Sequence, residues 1–122
     1  MLTRPSTDKA QGEADRIVFA IDSDIELNSS HTGGVLLVDT GSGDVEMVLP
    51  DIDEAGGSVI YIMVVCGANT LTVVAHEGDS VADDYGFSTS TQWSHLTLTA
   101  GSNNNWTVKM SSGDWAVEST TT

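Results

Sequence analysis

A single cysteine in 122 residues excludes an internal disulfide. Cys66 follows an apolar run and reads as a small buried residue. Bases are almost as scarce: four Lys and Arg stand against eighteen Asp and Glu, for a formal net charge of -14. A nucleic-acid backbone is gripped by clustered Lys and Arg, so that class of partner is excluded. Charge of this sign favours solubility and repels other acidic bodies. No apolar stretch reaches the length of a membrane span. No apolar segment follows the first charges as it does in a secretion signal, so no membrane or secreted location is expected. The sequons at Asn28-Ser29-Ser30 and Asn105-Trp106-Thr107 therefore read as unmodified.

Catalytic and cofactor motifs are missing too. There is no G-x-S-x-G, and no glycine-rich loop sits between a strand and a helix. His31, His76 and His95 lie far apart, with no pair at metal-ligand spacing. Asp22, Asp24 and Glu26 would share one strand face at about 7 Å intervals, and Asp83-Asp84 lacks EF-hand spacing. Both groups read as solvated acids. The expectation is a protein that is not an enzyme and holds no cofactor and no metal.

Helical periodicity, heptads and repeated modules are likewise absent. What the chain has instead is alternation. In Val45–Leu49, apolar Val45, Met47 and Leu49 alternate with Glu46 and Val48, and Pro50 then ends the strand because it has no N–H to donate. Asp51 to Ala55 is a short acidic link, and Gly56-Gly57 permits a tight turn with positive φ. Val59 to Val65 follows, seven apolar residues in a row. Val59, Tyr61, Met63 and Val65 point one way; Ile60, Ile62 and Val64 point the other. A strand apolar on both faces must be covered on both, and a second copy of the chain can supply the second cover. Ile60, Tyr61, Ile62 and Met63 are therefore the candidate subunit-interface residues.

Further strands are expected at Ile21–Leu27, Val35–Val38, Thr70–Ala75, Leu96–Ala100, Trp106–Met110 and Trp115–Val117. Asp39–Asp44 reads as a hairpin-like connection and Ser80–Gln92 as a surface loop. Val59–Val65 is expected to pair with Thr70–Ala75 across the turn at Gly67–Asn69, and Leu96–Ala100 with Trp106–Met110. The sum is about eight or nine short strands at turn spacings of about eight to twelve residues. That pattern predicts an all-β fold: one small antiparallel sandwich or barrel, jelly-roll-like, over residues 17–118. Residues 1–16 form an N-terminal arm and 119–122 a frayed tail. The arm holds Arg4, Lys9 and Arg16, three of the four bases, together with Pro5.

The features come in a telling order. A strand closes on Leu49-Pro50, and Gly56-Gly57 leads to an apolar strand. Asn69-Thr70-Leu71-Thr72-Val73, Gly78-Asp79-Ser80-Val81, Leu96-Thr97-Leu98-Thr99-Ala100 and Asn103-Asn104-Asn105-Trp106-Thr107-Val108 follow. Over residues 45–110 this resembles the small β-domains of tailed-bacteriophage structural proteins, most of all capsid decoration (cement) proteins. The resemblance implies a homotrimer without enzyme activity. It would sit on the outer capsid surface of the virion after assembly in the host cytoplasm, bound to the major capsid protein and stabilising the shell. Arg4, Pro5, Lys9 and Arg16 of the arm are then the capsid-attachment candidates. A head-fibre or tail-fibre domain is the alternative within the resemblance. From another class, a carbohydrate-binding module would use Trp93, Trp106 or Trp115 to line a sugar groove.

Overall fold

Alternation dictates which side chains share a face, and in the computed structural model of the chain the alternating apolar sets face one another across a dry core. Residues 17–55, 58–101 and 104–118 are described. They form eleven strands: β1 (Val18–Ile21), β2 (Ile25–Glu26), β3 (Val35–Asp39), β4 (Val45–Val48), β5 (Val59–Cys66), β6 (Leu71–Val74), β7 (Ser80–Val81), β8 (Gly86–Thr89), β9 (His95–Ala100), β10 (Asn105–Ser112) and β11 (Ala116–Glu118). One helical turn, α1 (Ile52–Ala55), occupies the acidic link after Pro50. The strands make a six-stranded sheet, β1-β3-β5-β9-β10-β7, and a five-stranded sheet, β11-β8-β6-β4-β2. The fold is a small all-β sandwich of two mixed sheets, not a closed barrel.

The chain winds. It passes from the first sheet to the second and back, so β1, β3 and β5 stack in parallel on one side. On the other side β2, β4 and β6 stack in parallel as well. Three successive coils result. The C-terminal third then closes the stack with antiparallel strands: β9 on β5, β10 on β9, β8 on β6 and β11 on β8. The antiparallel, jelly-roll-like arrangement expected from sequence is thus corrected for the first three coils, while the β9–β10 pair forms as expected.

The expected pairing of Val59–Val65 with Thr70–Ala75 does not occur: β5 and β6 lie in opposite sheets. The corner between them shows why. Asn69 is bound to the coil before it, not to β5. Its backbone N–H donates to Thr40 Oγ1 at 3.1 Å and its side-chain amide to the Thr40 carbonyl at 2.6 Å. The Thr40 hydroxyl lies 2.9 Å from both the Cys66 and Asn69 carbonyls and can donate to either. Thr40 is fully buried, so these bonds are made without competition from water. Asp39–Asp44 is the equivalent corner one coil earlier, crossing from β3 to β4, and is not a hairpin.

The stretch expected as one strand from Ile21 to Leu27 is also a corner, because β1 ends at Ile21 and β2 starts at Ile25. Asp24 there accepts from the Glu46 N–H at 2.8 Å, one coil on. Asp44 repeats the device, accepting from the Thr70 N–H at 3.0 Å. Beyond the strands the stack continues through Leu27 N–H to the Val48 carbonyl and Leu49 N–H to the Val74 carbonyl, both at 2.8 Å. Leu27, Leu49 and Ala75 therefore fall in line at one end of the core, all buried.

Ser80–Gln92, expected as a loop, contains β7 and β8. Positive φ at Ala82 and Asp83 turns the chain between them. Gly86 then lets β8 lie close against β6: a Cβ there would collide with the Val73 carbonyl oxygen. Between the sheets, Leu36, Val38, Ile60, Ile62, Val64, Leu96 and Leu98 meet Val45, Met47, Leu71 and Val73, with Trp106 enclosed at one side. Each such side chain contributes about 1.5–3 kcal/mol by leaving water.

Two substitutions test this account by thermal unfolding. Gly86→Ala should destabilise by about 1–3 kcal/mol through overpacking against β6. Thr40→Val leaves the Asn69 N–H unpartnered and should cost about 1–3 kcal/mol, whereas Thr40→Ser keeps the hydroxyl and most of the stability. If Thr40→Val is neutral, the corner bonds do not hold the coils together.

Candidate interaction face

The outward positions of the first sheet follow from its register. Val18 aligns with Val35, Val35 with Tyr61, Tyr61 with Thr97 and Thr97 with Met110. The next row runs through Ala20, Leu37, Met63 and His95. Val59 and Val65 extend β5 on the same side by alternation. Val18 and Met110 are exposed, at 59% and 62%, while Val35, Leu37, Val59, Tyr61, Met63 and Val65 are half-buried.

Strand β5 thus has its two faces assigned. Ile60 and Ile62 are fully buried between the sheets. Of the four interface candidates from sequence, only Tyr61 and Met63 stand on the outer side. A bulge in β10 between Val108 and Met110 shifts its register there. Next to it lies a groove of about 320 Å³ lined by Val59, Tyr61, His95, Thr97, Lys109 and Met110. The Thr97 hydroxyl and His95 Nε2 are 2.6 Å apart in its wall.

Charge separates this face from the rest of the surface. Among the described residues, its strands carry one carboxylate on the outward side, Asp39 at the end of β3. Its cation is Lys109, the one base after residue 16. The acids gather elsewhere: Asp22 and Asp24 with Asp44 around a cavity of about 490 Å³ at one set of corners, and Glu26, Asp51 and Glu54 around another at the opposite end. The outer side of the second sheet carries acids, with exposed Glu46 on β4 and the Ser88 hydroxyl donating to Glu118 at 2.8 Å.

The other sequence candidates are dispersed. Asp22, Asp24 and Glu26 do not form a strand face; they flank a corner. Asp83 is tied to the start of β10, its N–H donating to Asn105 Oδ1 at 3.0 Å and its carboxylate accepting from Asn105 Nδ2 at 3.1 Å. His31 caps a short turn, accepting the Asn28 N–H at 3.0 Å, and its ring lies 4.7 Å from that of Phe19. The three tryptophans do not line one groove. Trp106 is in the core. Trp115 is half-buried, its indole N–H 2.8 Å from the Ser112 carbonyl and 3.2 Å from that of His95. Trp93 is 61% exposed, with a positive φ of 70°. Arg4, Pro5, Lys9 and Arg16 of the arm, the Gly56-Gly57 turn and the tail at 119–122 lie outside the described residues.

No protein-family profile matches the chain, and no curated sequence is significantly similar to it.

Proposed function

We propose that this chain is a virion structural protein, a capsid decoration protein that works by assembly and not by chemistry. The observation that carries the reading is the outer face of the first sheet: extended, apolar and nearly free of carboxylates, on a chain of net charge -14. The occupant of that face is a second copy of the same chain. Copies that turn this face inward about a common axis bring uncharged rows together and keep their acids on the corners and the second sheet. Copies meeting corner to corner would set acid against acid. The number of copies, three, and the partner, the major capsid protein, come from the resemblance over residues 45–110.

Burying aliphatic and thioether side chains contributes about 25 cal/mol per Å² removed from water, whereas a buried unpaired carboxylate is strongly unfavourable. Met63→Asp and Leu37→Asp should therefore convert the oligomer to monomer while leaving the fold intact, since both side chains point away from the core. Sedimentation of the unmodified protein as a 12.8 kDa monomer at micromolar concentration would refute the reading.

Attachment falls to residues 1–16. Three of the four bases lie there beside three acids, so the segment is neutral where the rest is strongly acidic. A neutral segment is not repelled by an acidic capsid surface as the rest of the chain is. Deleting residues 2–15 should leave the oligomer and its unfolding midpoint nearly unchanged and weaken binding to undecorated capsids. Undiminished decoration by the truncated protein would place attachment on the β-domain instead.

A further inference from the structure

The corners at the β4–β5 and β6–β7 connections bring together three side chains that sequence spacing keeps apart. Asp51 follows Pro50; His76 and Asp79 belong to the turn after β6. One donor atom from each lies within 4.8 Å of the other two. All three residues are half-buried. We propose that Asp51, His76 and Asp79 form a binding site for a divalent transition-metal ion, zinc being the best match, that fastens these two connections to each other. The proposal stands independently of the decoration reading.

Each side chain is already oriented by a second bond, as metal ligands are. Asp79 Oδ2 accepts the Ile52 N–H at 3.0 Å. Asp51 Oδ1 accepts the Asp53 N–H at 3.0 Å. His76 Nδ1 is 3.0 Å from the Glu77 carbonyl oxygen. That oxygen can only accept, so Nδ1 carries the proton and Nε2 carries the lone pair a metal requires. Both carboxylates keep free lone pairs after making their backbone bonds. Ligands about 2.0–2.1 Å from a zinc ion stand about 3.4 Å apart, so closing the site takes donor-atom movements on the order of 1 Å.

The donor set selects the ion. Calcium and magnesium take oxygen ligands, whereas an imidazole with two carboxylates suits zinc and its neighbours. Three protein ligands leave a coordination position for water. Beside the cluster a cavity of about 260 Å³, lined by Glu26, Leu27, Asn28, Asp51, Glu54 and His76, has room for it and adds two carboxylates. The charge balance favours a cation as well. Among the described residues the one base is Lys109, which lines the groove on the outer side of the first sheet. Among the described residues, then, no lysine or arginine stands beside the two aspartates to neutralise them. A bound ion would do so and, by binding only the folded chain, would stabilise it.

The test uses untagged full-length protein stripped with a chelator, titrated with zinc by calorimetry and followed by thermal unfolding. One zinc per chain should bind and raise the unfolding midpoint by several degrees, with calcium at the same concentration having little effect. His76→Gln and Asp51→Asn should each weaken zinc binding by about tenfold or more, and Asp79→Asn serves as the third variant should either fail to fold. The inference is overturned by any of three results: no zinc binding, unchanged zinc binding in these variants, or a calcium effect equal to that of zinc. The last would mean a diffuse response of an acidic surface.

Discussion

The Thr40 hydroxyl is the point on which the coiled arrangement depends. A chain that leaves one sheet for the other must bend beside the core, and bending takes backbone groups out of the ladder where water cannot reach them. At the corner from β3 to β4 and the one stacked on it from β5 to β6, this single buried side chain meets an N–H and two carbonyls of the next coil. Asn69 returns the favour through its side-chain amide. With those groups satisfied, β5 need not fold back on β6, and each strand can lie over its counterpart in the previous coil. The parallel stacking of β1, β3 and β5, and of β2, β4 and β6, follows from corners that bind to one another more completely than to their own strands.

Much of the secondary structure was legible in the sequence. Alternation located β4 and β9, an unbroken apolar run located β5, β6 was expected after the Gly67–Asn69 turn, the GSNNN connection announced the β9–β10 pair, and Trp115–Val117 marked the last strand to within a residue. The topology was not legible, for a physical reason. A three-residue link such as Gly67-Ala68-Asn69 is compatible with a hairpin or with a corner between sheets. What decides between them is the partner of Asn69, which lies twenty-nine positions away at Thr40. Coils of unequal length leave no fixed period to find, although Asp24 and Asp44 repeat one corner device. Ser80–Gln92 concealed two strands because each is short and Gly86 carries no side chain to alternate; its meaning is the close approach of β8 to β6.

The same logic governs the sites. The two-faced character of β5 could be read directly, but which face met the second sheet could not, since both rows are apolar. Register settled it, through Ile60 and Ile62 facing the core. Asp51, His76 and Asp79 were invisible as a group, because ligand spacing within one element was the signal sought and these residues come from two stacked connections. Asp22, Asp24 and Glu26, which read as one solvated face, turned out to divide: Asp24 holds the Glu46 N–H of the following coil, whereas Asp22 and Glu26 are simply exposed.

That division bears on how copies of the chain can meet. Among the described residues one end of each sheet lies on the first coil, where β1 and β2 are edge strands. An open edge with apolar Ile17 and Val18 exposed beside it is a template for pairing with any other strand. Two features of the coil discourage this. Strand β2 is only two residues long, too short to seed a sheet. The corner between β1 and β2 carries Asp22 and Asp24, with Glu26 on β2 itself, so a second copy approaching edge to edge meets three carboxylates with its own three. Like charges set opposite one another are unfavourable, and the cost rises as the approach excludes water. The outer face of the first sheet has no such barrier. Acids at the first-coil edge and apolar rows on the face thus divide the surface: the acids discourage strand addition at that edge, and the face carries no such barrier.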